Sequence, residues 1–199
     1  MREAAAWDER YRSAELVWGA GPNQAFARAV ADLPPAYALD LACGEGRNAI
    51  WLAEHRWQVT AVDFSQVALD RARDLAAERG VAVDFRNEDV RTWVPPRRAF
   101  DLVTLLYLHI PSADLRRVHA RAADAVAAGG TLIILGHDRQ NLDHGHGGPQ
   151  DGDRLLVPEV VATQVGDLDV VSAETITREV SGDPPVIALD ALIRATRRG

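Results

Sequence analysis

Apolar runs alternate with amphipathic stretches along most of this chain. Tyr37-Ala38-Leu39-Asp40-Leu41 follows the Pro34-Pro35 break and reads as a short buried strand. Arg47 to His55 carries Ala49, Ile50, Leu52 and Ala53 on one face, the pattern of a helix. Gln58 to Asp63 predicts a second strand. Ser65 suits the N-cap of a helix through Arg79, with Gly80 as its stop. Val81 to Phe85 predicts a third strand, running into Asn87-Glu88-Asp89-Val90. Phe100 to Leu108 predicts a fourth, then Ser112 to about Ala127 a helix ended by Gly129-Gly130. Thr131 to Leu135 is apolar apart from its first residue, as a strand buried on both faces would be.

Five strand-then-helix units imply a parallel sheet with right-handed crossovers. The tail has another rhythm. Asp169 to Val180 and Val186 to Arg197 are strand-like around the breaker Ser181-Gly182-Asp183-Pro184-Pro185, which predicts an antiparallel hairpin. The expected class is therefore α/β: a Rossmann-like, doubly wound, mostly parallel sheet closed by a C-terminal antiparallel strand pair. A chain of 199 residues is expected to form one domain. Its expected parts are a helical lid over 1–30, a core over 36–136, and a substrate loop with closing strands over 137–199.

Composition narrows the choice of partner. The net charge of −7, with scattered basic residues that are all arginine, argues against nucleic acid. No apolar stretch reaches bilayer length, the amino terminus lacks a signal-peptide core, and one cysteine permits no internal disulfide. A cytoplasmic protein, a monomer or a homodimer, is the expectation.

The chemistry is concentrated in Asp40-Leu41-Ala42-Cys43-Gly44-Glu45-Gly46-Arg47-Asn48 and in Ala61-Val62-Asp63. Each is an apolar strand ending near an acid, and the first drops into a glycine turn before a helix. That is the form of a site for an adenosine-containing cofactor. Gly44, Gly46 and Ala49 also satisfy the dinucleotide pattern. Asp40 speaks against a dinucleotide, because a carboxylate there would repel a pyrophosphate at the helix N-terminus. It suits a ligand carrying an ammonium or a sulfonium.

The segment Asp40 to Gly46 resembles the first motif of the class I S-adenosylmethionine-dependent methyltransferases, with Ala42 where many members carry the first glycine. The resemblance covers about Tyr37 to Leu135 and, more loosely, the tail. It implies S-adenosyl-L-methionine as cofactor. Asp63 is implied to accept from the ribose hydroxyls, Phe64 to pack beside the adenine, and Asp89 with the Val90 amide to meet the adenine edge. Ser65 and Leu105 fall on the same expected site. Trp7 to Tyr11, Trp18-Gly19 and Gly44 to Asn48 resemble the tellurite-resistance and thiopurine branch. There Arg10 or Arg47 would meet the cofactor's carboxylate and Trp18 would shield the sulfonium.

The acceptor is less well specified. Leu105-Leu106-Tyr107-Leu108-His109-Ile110-Pro111 lacks the Asn/Asp-Pro-Pro-aromatic motif of enzymes that methylate nucleic-acid bases, so a small molecule is expected. Tyr107 and His109 after the fourth strand, and His137-Asp138 after the fifth, are placed to orient an acceptor or take its proton. Arg178 is the nearest equivalent of the polar late-strand residues in the tellurite branch, although the histidine expected beside it is absent. Three histidines and two aspartates lie between His137 and His146. That segment reads as a substrate-covering loop and not as a metal site. Two other readings stay open: a non-catalytic cofactor-binding partner protein and a nicotinamide-dependent oxidoreductase.

Overall fold

The computed structural model describes residues 2–13, 16, 19, 21–180 and 186–199, with side chains from residue 5 onward. Two short helices, α1 (Arg2–Arg12) and α2 (Gln24–Ala29), precede β1 (Tyr37–Leu41). Then come α3 (Arg47–Glu54), β2 (Gln58–Asp63), α4 (Gln66–Glu78), β3 (Asp84–Asn87) and β4 (Phe100–Leu106). The remainder is α5 (Ser112–Ala125), β5 (Val126–His137), α6 (Asn141–His144), α7 (Pro158–Ala162), β6 (Asp169–Val180) and β7 (Val186–Thr196). The strands make a seven-stranded sheet of order β3-β2-β1-β4-β5-β7-β6, mostly parallel, with β7 antiparallel to both β5 and β6. The expected fold class is borne out. Among the described residues no helix is long and apolar enough to cross a membrane. By contact density the chain forms two compact units, 1–94 with 100–104 and 95–99 with 105–199, so β4 runs from the first into the second.

In the first unit β2 pairs in parallel with β1 and β3, and Phe26, Leu39, Ile50, Leu52 and Leu69 are fully buried around these strands. Ser65 caps α4, its Oγ accepting from the Ala68 amide at 3.2 Å. At the far end Gly80 adopts φ +67°, and the Gly80 and Val81 amides donate back to Ala77 and Ala76. This cap explains a correction. The third strand starts at Asp84, not Val81, because the Val81 amide is already spent on the helix end.

In the second unit further boundaries differ from expectation, and the fifth strand runs from Val126 to His137, beyond the expected Thr131 to Leu135. The fourth strand stops at Leu106 because Tyr107 turns to φ +55°, a left-handed conformation that ends the ladder. The helix α5 stops at Ala125, and the glycine pair lies within β5. What ends α5 is Arg197. Its buried guanidinium donates to the Ala123 and Val126 carbonyls, both at 2.8 Å, satisfying groups a helix end leaves open. The antiparallel registers place His137 opposite Asp190 on β7, and Arg178 on β6 opposite Ala188, one diagonal step away. The predicted breaker Ser181 to Pro185 lies outside the described residues, as does Trp18.

Candidate active site

The glycine turn of the first unit is built on left-handed backbone. Ala42, Gly44 and Gly46 have φ of +58°, +55° and +75°. Gly44 and Gly46 are needed for space as well. A methyl on Gly44 would stand 2.8 Å from Tyr11 Oη, and one on Gly46 3.0 Å from both Ala72 and Phe85. Ala42 holds its left-handed φ despite its Cβ, at a local cost of about 1–2 kcal/mol.

Acids surround this turn. Asp40, at 1% exposure, accepts from Thr104 Oγ1 at 2.8 Å through Oδ1, while its Oδ2 is buried with no partner. Burial pushes its pKa up to about 7, against the Thr104 hydrogen bond and with the help of nearby Asp63. Asp63 is also buried, and burial raises its pKa. Its two oxygens accept from the Gly44 and Ser65 amides, each at 2.8 Å, so this acid latches the turn to the start of α4. Each oxygen keeps lone-pair capacity for a further donor. Burial and these two acids also push the Cys43 thiol well up, which removes it as a nucleophile.

The N-terminal helix closes over the same turn. Ser65 Oγ donates to Asp8 Oδ1, and Tyr11 packs its hydroxyl end toward Gly44. Asn48, at 7% exposure, accepts from the Asn23 amide at 2.9 Å and so fixes the start of α2. Asp8 and Tyr11 were not singled out as site residues; the only signal for them was their place in the lid-like segment. Arg10 is exposed, with its guanidinium 5.1 Å from the Trp7 ring centre. Arg47 lies in the first turn of α3, where its charge acts on Asp40. Phe64 is half-buried, and its carbonyl accepts from Asn87. Val90 is buried beside Asp89, whose carboxylate is gripped by Arg91 through Nε at 2.9 Å and Nη2 at 2.6 Å. That pair holds the Asp89 pKa below the usual carboxylate range.

The second unit brings together four of the five acceptor-side candidates. Tyr107 Oη donates to Asp190 Oδ2 at 2.7 Å, and Arg178 Nε donates to the same oxygen at 2.6 Å. His137 Nδ1 stands 3.0 Å from Asp190 Oδ1 without forming a regular hydrogen bond. His109 stacks on His137 with ring centres 5.2 Å apart and planes 16° apart. Leu105 is buried at the end of β4, two residues before Tyr107. Asp138 is the exception. Its side chain accepts from Thr175 Oγ1 at 2.6 Å and the Gln140 amide at 2.8 Å, pinning the chain after β5.

The centre of this cluster, Asp190, is fully buried and was not anticipated. Its signal was available: one acid inside the otherwise apolar Val186-Ile187-Ala188-Leu189-Asp190-Ala191-Leu192-Ile193. Burial alone would raise its pKa, but His137, Arg178 and Tyr107 together hold it below the ordinary value. Burial, aided by His137, pushes His109 down to about 4. Gly148, at φ +75°, lies against His137; a methyl there would fall 2.6 Å from Cδ2. Among the described residues no group of three His, Cys, Asp or Glu side chains converges as a metal ion would require.

Comparison with known proteins agrees with this geometry. Residues 38–130 match the family model described as a methyltransferase domain. Over 100 residues the chain is 30% identical to the ubiquinone biosynthesis O-methyltransferase of Coxiella burnetii, covering 49% of this chain and 42% of that protein. Over 101 residues it is 32% identical to the phosphatidylethanolamine N-methyltransferase of Cereibacter sphaeroides, covering 50% and 49%. The chain thus spans less than half the length of these curated relatives. In fold it is similar to TehB from Haemophilus influenzae, with a TM-score of 0.75 and 13% identity over 92% of this chain and 64% of that one. Residues 38–130 of this chain thus match a methyltransferase domain, and its sheet is similar in fold to those of solved S-adenosylmethionine-dependent methyltransferases.

Proposed function

We propose that the protein transfers a methyl group from S-adenosylmethionine to a small-molecule acceptor held at Tyr107, His109, His137 and Arg178. One observation carries the cofactor reading: the buried Asp40 oxygen without a partner, on an acid that burial has made hard to ionise. Such an oxygen is costly unless a cation or a donor completes it. A pyrophosphate would meet Asp40, Asp63 and Asp8 with like charge; an ammonium or sulfonium meets them with opposite charge.

The cofactor, when bound, supplies a methyl group on a positively charged sulfur. The chain's own residues then bind, orient and exclude water. Asp40 faces the cationic end, and Arg10 or Arg47 pairs with the carboxylate. Asp63 accepts from the ribose hydroxyls through its spare lone pairs. Phe64, Asp89 and Val90 take the adenine side, with Ser65 as a wall. Ala42, Gly44, Gly46 and Asn48 hold the turn in shape. Methyl transfer needs the acceptor atom, methyl carbon and sulfur in line, and most of the acceleration comes from that alignment.

The net charge of −7 supports a small acceptor over nucleic acid. The test is incubation with methyl-labelled S-adenosylmethionine and a panel of hydroxyl, thiol, amine and chalcogen-oxyanion acceptors. Label in a small-molecule product, with S-adenosylhomocysteine formed in step, is the expected result. Label only in RNA or DNA would overturn it.

A further inference from the structure

Apart from the acceptor-side cluster, the second unit holds a cavity of about 170 Å³ between α5, α7 and residues 152–157. Its walls are apolar, with Leu115, Leu155, Leu156 and Val161 all buried. Val160 lines it too and is 49% exposed, so the apolar lining reaches the surface. At the edge Ser112 Oγ donates to Asp153 Oδ1 at 2.6 Å, and Arg139 stands beside Gly152. One anion and one cation leave that edge without net charge.

His119 lines the cavity from α5, on the same helix face as Leu115 and only 1% exposed. Its Nδ1 lies 2.7 Å from Gln164 Oε1, so the ring donates there and the lone pair falls on Nε2. That Nε2 is buried with no partner. Burial outweighs the glutamine and pushes the pKa down, which keeps the ring neutral. A leucine would fill this apolar face without orphaning an acceptor. A trapped water needs roughly two to four polar partners, and here Ser112 and Asp153 are engaged with each other. An apolar cavity of about 150 Å³ takes a benzene-sized molecule. One ring and one hydroxyl match these walls and this imidazole.

We infer that this cavity binds a small neutral ring alcohol of phenol size, its ring against Leu115, Leu155, Leu156 and Val161 and its hydroxyl donating to His119 Nε2. The site goes beyond methyl transfer and needs no cofactor. One stretch of chain serves both places. Leu156 lines the cavity, and its amide donates to the His137 carbonyl at 2.9 Å. Arg154, two residues earlier, donates to the His109 carbonyl at 3.2 Å. A ring in the cavity braces the segment on which the acceptor-side histidines rest.

Phenol, added without cofactor, is the probe. In ¹⁵N-labelled protein, long-range ¹H–¹⁵N correlation, with His119→Leu for assignment, reports the His119 tautomer, and calorimetry gives the affinity. The expected result is protonated Nδ1, with the Nε2 resonance moving as phenol saturates at a Kd of about 1 mM or tighter. His119→Leu should weaken phenol about three- to tenfold and leave toluene binding unchanged. If that variant fails to fold, Val160→Trp, at an exposed position that tolerates bulk, should block both ligands. An Nε2-protonated His119, a Nε2 resonance unmoved by phenol, or phenol affinity unchanged in every folded variant overturns the inference. So does phenol that moves the His109 or His137 resonances while His119 stays still, which would place it at the acceptor cluster.

Discussion

The Asp40→Asn substitution isolates the electrostatics of the cofactor turn. In the folded protein the Asp40 carboxyl is pushed from 3.8 to about 7, chiefly by burial. Between those values the folded state holds a proton that the unfolded chain has released, so stability falls as pH rises from about 4 to about 7. A shift of this size corresponds to about 4 kcal/mol. Asparagine keeps an oxygen for the Thr104 hydroxyl and cannot ionise. The amide's second proton is unpartnered at the Oδ2 position and costs about 1 kcal/mol. At pH 5 the unfolded carboxyl is already ionised, a loss of about 1–2 kcal/mol that roughly offsets the cost of the amide, so the two proteins should match within about 1 kcal/mol. At pH 8 the variant should be more stable by about 3 kcal/mol. Urea unfolding of both proteins from pH 5 to 8, with m unchanged, gives the difference directly. Parallel stability curves for the two would refute the assignment. The same variant should bind S-adenosylmethionine more weakly at pH 8, because the charge that destabilises the empty turn is the one that meets the ligand.

Other consequences follow from the same geometry. Asp63→Ala unlatches the Gly44 and Ser65 amides and should cost about 1–3 kcal/mol in urea unfolding, with weaker S-adenosylhomocysteine binding in calorimetry; unchanged affinity in the folded variant would sink its cofactor role. Gly46→Ala adds a methyl at 3.0 Å from Ala72 and Phe85 on left-handed backbone, and should lower stability by about 1–3 kcal/mol. His109, held down to about 4, stays neutral in the fold while the unfolded chain takes up a proton near 6.5. Stability should therefore fall by about 3 kcal/mol as pH drops from 6.5 to 4, and His109→Gln should flatten that limb of the unfolding curve.

The amino-acid pattern yielded β1, β2 and β6 to the residue, because each is a clean apolar or alternating run bounded by breakers. It misjudged β3 and the end of α5, where hydrogen bonds and not hydropathy set the limits. Val81 looks like strand but its amide belongs to the helix cap, and α5 is ended by an arginine that arrives from the far end of the chain. The turn acids and glycines were legible because their spacing is local. Asp190 was not, since an acid in an apolar strand gains meaning only when the register sets it opposite His137. Asp138 shows the converse: next to His137 in sequence, it turns to Thr175 in space.

Calorimetric titration of the purified protein with S-adenosylhomocysteine, with NADH in parallel, tests the central claim most directly. Micromolar binding of S-adenosylhomocysteine with no response to NADH is the predicted result. Binding of NADH alone would contradict the reading of Asp40 and the methyl-transfer function with it.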